Sequence, residues 1–194
     1  FASTLLNPVL ALCRVRYPQI ALHIGIDNSM LDLSKRDADI AVRPTLHPPE
    51  YLVGKRIAPL AFAVYGAADY LQNTTASNLP EHQWIGLGES QERHRTLQWL
   101  QKTIPLELVG LRTDGFASVA QACADGLGLA VLPCFLGDSL APLRRTQEPI
   151  PELASELWVL THPDLRKTAR IQTVFQFLHQ ELGKRSLALQ GIKP

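Results

Sequence analysis

The spacing of apolar positions along this chain switches repeatedly between two periods. In some segments apolar residues recur every three to four positions, which is typical of helices with one buried face. In others they alternate with polar residues or form short uninterrupted runs, which is typical of strands. The pattern predicts helices over residues 4–16, 29–35, 91–102, 117–126 and 168–182, and strands over 19–26, 38–43, 51–58, 60–66, 106–112, 127–133 and 155–163.

Individual residues support these boundaries. The segment "QIALHIGI" places Ile20, Leu22 and Ile24 on the same side of an extended chain. Pro18 ends the preceding helix, because the residue before a proline disfavours the helical conformation. Gly126 and Gly128 are suited to stop one helix and to start the strand that follows. Strands that alternate with helices in this way predict an α/β fold with largely parallel sheets.

The distribution of charge predicts two lobes. Residues 61–162 contain six Lys/Arg and eleven Asp/Glu, for a net charge of −5, whereas 1–60 and 163–194 together carry +6. An acidic segment between two basic ones indicates a lobe over 61–162 that interrupts a discontinuous lobe formed by 1–60 plus 163–194. Two crossing strands would join the lobes, and a cleft between them would be the expected ligand site.

The net charge, the length of the apolar runs and the number of cysteines exclude several classes of protein. A net charge of +1 argues against a dedicated nucleic-acid-binding domain. No apolar run approaches the roughly 18 residues of a membrane span, and the N-terminus does not resemble a signal peptide, so no membrane association is expected. Cys13, Cys123 and Cys134 are odd in number and lie in apolar patterns, which indicates free thiols in a reducing, cytoplasmic compartment.

No recognised catalytic or metal-binding motif occurs in the sequence. The six histidines lack the spacing of metal ligands, and no P-loop, G-x-S-x-G or H-E-x-x-H segment is present. We therefore expect a protein that is not an enzyme and that has no metal and no cofactor.

Arg43, at the end of the strand predicted in "ADIAVR", is the first candidate for ligand binding. Open α/β sheets bind ligands at the carboxyl ends of their strands, and a guanidinium is well matched to a carboxylate. An acidic small molecule is therefore a natural ligand. A structural ion pair with Asp37 or Asp39 is the alternative, and the residue by itself does not decide between them.

A second candidate is the segment "RTDGFAS". Thr113 and Asp114 follow a predicted strand, and Gly115 and Phe116 would open a helix whose first N–H groups suit an anion. An ordinary helix cap is the simpler interpretation. Asn28 and Ser29 open a helix in the same way after "HIGI", and Ser3 precedes another, so three such loops would converge on one cleft. These loop positions are Ser3, Asn28, Ser29, Thr113, Asp114, Gly115 and Phe116.

Four segments together resemble a known family. "FASTLLNPVLALCRVRYPQIALHI", "DLSKRDADIAVRP", "LVGKRIAPLAFAVYGAADYL" and "GLGLAVLPCFLGD" are similar to the effector-binding domain of LysR-type bacterial transcriptional regulators, in the same order and over essentially the whole chain. The resemblance implies two Rossmann-like lobes of the type 2 periplasmic-binding-protein fold, with a small-molecule inducer in the cleft.

The resemblance also implies site residues. It places Ser3, Asn28, Ser29, Arg43, Thr113, Asp114, Gly115, Phe116 and Pro133 at the effector, with Arg43 facing an acid group of the ligand or the opposite lobe. The family's N-terminal winged helix-turn-helix is absent from this chain, so DNA would be bound only through that missing domain. A first strand of lobe one is expected to precede Phe1, which leaves Ser3 next to the gap.

The resemblance implies partners as well. Domains of this family form side-by-side antiparallel homodimers, lobe one against lobe two of the partner, and tetramers at full length. Lobes of +6 and −5 would attract each other in that arrangement. Two alternatives remain: a solute-binding protein of a transport system, and a small α/β enzyme such as the hydroxymethylbilane-type deaminases, which share the fold type.

Overall fold

The computed structural model describes residues 2–25, 38–75, 78–88 and 94–192. The helix predicted over 29–35, with Asn28 and Ser29 at its start, lies outside the described residues. A π-helical turn, Ala2–Leu6, leads into the first α-helix. In chain order the helices and strands are α1 (Asn7–Arg16), β1 (Ile40–Pro44), β2 (Val53–Leu60), β3 (Phe62–Ala67), α2 (Ala68–Asn73), β4 (Trp84–Leu87), α3 (Arg95–Thr103), β5 (Val109–Thr113), α4 (Phe116–Ala124), β6 (Leu129–Pro133), α5 (Cys134–Gly137), β7 (Leu143–Arg145), β8 (Ser155–Thr161), α6 (Ala169–Gly183) and α7 (Ser186–Leu189).

The chain forms two compact units. Unit 1 comprises Phe1–Leu60 and Ser155–Pro194, and unit 2 comprises Ala61–Ala154. The charge pattern placed the second boundary at residue 162, whereas the structure has it before β8. The reason is that β8 pairs with β1 and β2 along its whole length, so its backbone hydrogen bonds belong to unit 1.

Unit 1 is built on a three-stranded sheet of order β1-β8-β2, in which both pairings are antiparallel. Leu157 and Val159 of β8 are fully buried and alternate with residues of the opposite face. Helix α6 contacts β2, β8 and α1, and buries one apolar stripe that includes Ile171, Val174 and Leu178. The helix predicted over 168–182 from this periodicity is confirmed.

Two expectations for unit 1 were wrong. The strand predicted over 19–26 is absent from the part of it that the structure describes: residues 20–25 form no strand, and Ile24 is 52% exposed. An alternating pattern gives a strand one apolar face, but a strand also needs a neighbouring strand for its backbone hydrogen bonds. Within the described part of the chain, β1, β8 and β2 pair only with one another. Likewise β1 is antiparallel to its neighbour, so Arg43 does not end a parallel strand.

Unit 2 contains a five-stranded mixed sheet of order β5-β4-β6-β3-β7. The pairs β4–β5 and β4–β6 are parallel, whereas β3 runs antiparallel to both β6 and β7. The expectation of largely parallel sheets therefore holds for three strands of this sheet only. Helix α4 contacts β3, β4, β5 and β6 and buries Val119, Ala120 and Cys123 against them.

The turn between α4 and β6 depends on two glycines. Gly126 has a φ of 82°, and its N–H bonds to the Cys123 carbonyl at 3.0 Å, which ends the helix. Gly128 has a φ of 146°, and a Cβ there would collide with the backbone of Gln83. The roles predicted for both glycines, helix stop and strand entry, are confirmed.

A buried polar network fixes one end of the unit 2 sheet. Tyr65 is fully buried, and its hydroxyl donates to Asp138 Oδ1 at 2.9 Å and accepts from Arg145 Nε at 3.0 Å. Arg145 also pairs with both carboxylate oxygens of Asp138. Gly137 lies so close to the Tyr65 ring that a Cβ would overlap it. These contacts tie β3, α5 and β7 together.

The three cysteines are buried free thiols, as predicted. Burial raises the pKa of all three, that of Cys123 to about 12, so each is held as an unreactive neutral thiol. Among the described residues, no helix is both long enough and apolar enough to cross a membrane.

Candidate functional site

The strongest candidate site lies where the parallel strands of unit 2 end. Strands β4, β5 and β6 run in the same direction, so their carboxyl ends lie at one edge of the sheet, where α/β proteins bind ligands. Thr113 ends β5 and Pro133 ends β6. Because β3 is antiparallel, its first residue, Phe62, pairs with Pro133 at this same edge.

Two hydrogen bonds of Thr113 hold the loop from β5 to α4. The Thr113 carbonyl accepts from the Gly88 N–H at 2.8 Å, and the Thr113 hydroxyl donates to the Gly115 carbonyl at 3.3 Å. Gly115 is the N-cap of α4 and is extended, and it has no side chain with which to cap the helix. Asp114 lies beside Gly88: a Cβ added to Gly88 would be 2.8 Å from Oδ1 of Asp114.

An aromatic cluster, formed by Phe62, His94 and Phe116, occupies this edge. The His94 and Phe116 rings meet edge to face with centroids 5.1 Å apart, and Phe62 lies 6.1 Å from Phe116 and 6.4 Å from His94. Phe62 is buried, whereas Phe116 and His94 are half-buried. The three residues come from β3, from the start of α3 and from the start of α4.

His94 serves as the N-cap of α3. Its Nδ1 accepts a hydrogen bond from the Thr96 N–H at 3.3 Å and lies 2.8 Å from the Thr96 hydroxyl. Burial, together with the adjacent positive charge of Arg95, lowers the pKa of His94 below its ordinary value. The ring is therefore a neutral imidazole near pH 7.

Sequence reasoning included Phe116 but missed Phe62 and His94. Phe62 was read as part of a buried strand, and the histidines were considered only as metal ligands. A signal for His94 existed, because a polar residue directly before the helix of 95–103 is in an N-cap position. Nothing in the sequence brings positions 62, 94 and 116 together.

Arg43 lies in the other sheet, that of unit 1. The register pairs Arg43 with Trp158 and Trp158 with Arg56, so the three side chains form a row on one face. Arg56 donates to Glu156 Oε1 at 2.8 Å, and the Trp158 indole N–H donates to Glu156 Oε2 at 3.1 Å. Glu156 thereby neutralises Arg56 and not Arg43.

Arg43 is half-buried and forms no ion pair with any described residue of unit 1. The structural alternative of a pair with Asp39 is therefore not observed, and Asp37 lies outside the described residues. Ser3 belongs to the π-helical turn before α1. The structure thus brings Thr113, Asp114, Gly115, Phe116 and Pro133 to one edge of unit 2, and it leaves Arg43 and Ser3 in unit 1.

The described residues offer no metal site, and they line one open cavity away from the candidate site. No group of three His, Cys, Asp or Glu side chains could hold a metal ion. An open cavity of about 640 Å³ lies in unit 2 beside the start of α2 and the end of α4, with Asp69, Asn73 and Asp125 in its wall. It contains none of the predicted site residues.

Comparisons with known proteins identify the family. A model of the LysR substrate binding domain matches residues 1–183. The chain is 25% identical over 187 residues to the probable HTH-type transcriptional regulator LtrA of Klebsiella pneumoniae, covering 90% of this chain and 60% of that protein. It spans about three fifths of the length of the curated relatives that it matches.

Solved structures support the same fold. The regulatory domain of CrgA from Neisseria meningitidis superposes with a TM-score of 0.72 at 22% identity, covering 93% of each chain. The effector domain of AmpR from Pseudomonas aeruginosa gives a TM-score of 0.73 at 16% identity, covering 96% of this chain and 92% of that one. The fold is the periplasmic-binding-protein-like type 2 fold. With nearly all of its length matched by the family model, the chain belongs to the LysR substrate-binding domain family.

Proposed function

We propose that this domain binds a small anionic effector and thereby controls transcription by the full-length regulator. The observation that carries the proposal is Arg43, a half-buried guanidinium without a counter-ion among the described residues of unit 1. Leaving a charge unpaired in a partly buried position costs stability, so such a charge is a reasonable place for an anion to bind. The family supports the same assignment, because its members contain this domain for effector binding.

The remaining contacts are assigned to the edge of unit 2 and to the start of the chain. Thr113, Asp114, Gly115, Phe116 and Pro133 lie together at the carboxyl ends of β5 and β6, beside the N-terminus of α4. Ser3, Asn28 and Ser29 are included on the family resemblance.

The test uses Arg43→Ala, with Arg56→Ala as a matched control. Both arginines lie on the same face of one sheet, one on each side of Trp158, but only Arg56 is paired with Glu156. A thermal-shift screen against carboxylates, aromatic acids, amino acids and sugars identifies the ligand. A ligand at 100 times its dissociation constant adds about 2.7 kcal/mol of stability.

We expect Arg43→Ala to lose the ligand shift while its own melting temperature changes little, and Arg56→Ala to keep the shift. If Arg43→Ala unfolds while its folded fraction still binds, then Arg43 is structural. In that case the anionic effector is not bound by this residue.

Regulation would follow from a change in the relative populations of two conformations of the domain. The effector stabilises one conformation of the domain, and the full-length protein then holds its DNA-binding domains differently. DNA contact is assigned to an N-terminal winged helix-turn-helix outside this chain, and the protein to the cytoplasm. We assign no catalytic activity. A role as a solute-binding protein of a transporter is not favoured, since the relatives are transcriptional regulators.

We also assign an antiparallel homodimer to this domain, and a tetramer to the full-length protein. Helix α1 exposes Leu12 and Val15, the latter 83% exposed, and β5 is an edge strand with Leu111 partly exposed. These surfaces and the opposite charges of 1–60 plus 163–194 and of 61–162 suit such a pairing. A purely monomeric mass by light scattering at tens of micromolar and low salt would contradict the dimer.

A further inference from the structure

His94 has one ring nitrogen, Nε2, that hydrogen-bonds to no described residue. Its Nδ1 is the acceptor for the Thr96 N–H at the start of α3, so the neutral ring carries its proton on Nε2. Among the described residues, no fully buried side-chain nitrogen or oxygen lacks a hydrogen-bond partner. The described residues thus supply no acceptor for the Nε2–H group.

The surroundings of His94 also restrict the rotation of its ring. The ring packs edge to face on Phe116 at 5.1 Å and lies against Phe62 at 6.4 Å, while Thr96 holds its other nitrogen. A ring held on three sides cannot rotate freely to satisfy Nε2 elsewhere. The accessible parts of His94 and Phe116 thus form an aromatic surface with one hydrogen-bond donor at its edge.

We propose that His94 is an effector-contacting residue that selects for aromatic acids: Nε2–H donates to an oxygen of the effector, and the effector's unsaturated ring packs against Phe116 and His94. This inference rests on the proposed effector-binding function and deepens it. An aromatic ring suits this surface because edge-to-face and offset contacts with Phe and His rings add to simple apolar burial. A neutral imidazole N–H suits a carboxylate or carbonyl oxygen.

The experiment uses benzoate as the probe and cyclohexanecarboxylate as its control, since the two share charge and approximate size but only benzoate has an aromatic ring. Long-range ¹H–¹⁵N spectra of the whole domain report the protonation of each histidine nitrogen. We expect free His94 to show a proton on Nε2 and none on Nδ1. Millimolar benzoate should shift the His94 and Phe116 ring signals and leave those of His82 in place.

Two variants separate the contact from the fold. His94→Asn retains a side-chain oxygen that can cap α3 through the Thr96 N–H, but it removes the ring and the Nε2 donor. Phe116→Leu retains apolar volume and removes the aromatic face. Each should weaken benzoate binding about tenfold and bring it close to that of cyclohexanecarboxylate.

Several results would overturn the inference. They are a proton on Nδ1 of His94, no response of His94 to benzoate, equal binding of the two acids, or unchanged benzoate affinity in His94→Asn. If benzoate binding is lost in Arg43→Ala but intact in His94→Asn, the effector-binding function stands and the assignment of His94 fails. The panel of chemically different ligands tests the proposed function independently of benzoate.

Discussion

Replacing Tyr65 by phenylalanine removes a single oxygen atom from the interior of unit 2. That hydroxyl lies 2.9 Å from Asp138 Oδ1 and 3.0 Å from Arg145 Nε, and more loosely, at 3.4 Å, from the Cys134 carbonyl. Burial raises the pKa of Tyr65, so the hydroxyl is a neutral donor at every working pH. The ring and its packing on Gly137 are unchanged by the substitution.

The expected cost follows from what remains after the hydroxyl is removed. Arg145 and Asp138 keep their direct hydrogen bonds, so neither charge loses its partner. The loss is therefore that of hydrogen bonds to charged groups, about 2 kcal/mol of unfolding free energy. With a urea dependence of about 2 kcal/mol per molar, the midpoint of unit 2 falls by about 1 M.

The assay must report on unit 2 by itself, because a chain with two units need not unfold in one step. Hydrogen exchange of peptides from β3 and β7 at increasing urea concentration does so. The control is Tyr17→Phe in unit 1, read from peptides of α1 and α6, since the Tyr17 hydroxyl bonds to none of the described residues while its ring packs on Phe177. We expect a change of less than about 0.5 kcal/mol there. Equal effects of the two substitutions would refute the reasoning from the buried network.

Three further predictions concern stability and reactivity. Gly137→Ala should cost about 1–3 kcal/mol by overlap with the buried tyrosine ring, whereas Gly183→Ala, where a Cβ meets no atom within 4 Å, should be neutral or stabilising in chemical denaturation. Burial lowers the pKa of His82 and His94, so folding favours their neutral forms. This contribution to the free energy of unfolding is fully present above the pKa of an unfolded histidine, about 6.5, and is lost as the pH falls through the lower pKa values of the folded protein. Melting temperatures measured from pH 7.5 down to pH 5 should decline, and less so in His94→Asn. Cys123, with its pKa raised to about 12, should react with a thiol reagent only at the rate of unfolding, and rapid labelling of the native protein would contradict its burial.

Local sequence patterns were sufficient to predict the elements that depend mainly on nearby residues. The apolar run of β3, buried at every position, and the apolar stripe of α6 were predicted from periodicity. Gly126 and Gly128 were interpreted correctly because the demand for a positive φ is a property of single residues. Each of these features is determined by residues that lie within a few positions of it in the sequence.

Features that depend on distant partners were not predictable in the same way. The alternation of Ile20, Leu22 and Ile24 resembles that of a strand, but pairing requires a neighbouring backbone. The direction of β1 relative to β8 is set by tertiary pairing and leaves no trace in the local pattern. At the candidate site, Thr113 and Phe116 were found from their place after a strand. His94 was not, because its importance comes from Phe62 and Phe116.

The central position of β8 constrains the order in which the chain can fold during synthesis. Strands β1 and β2 do not pair with each other. Among the strands that the structure describes, each pairs with β8, which is made after all of unit 2. At usual elongation rates, unit 2 takes on the order of 5 to 20 s to be made. Unit 2 is continuous and can form its sheet as it leaves the ribosome. Until β8 is made, β1 and β2 lack the strand with which they pair, which makes them the natural segments for a chaperone to protect.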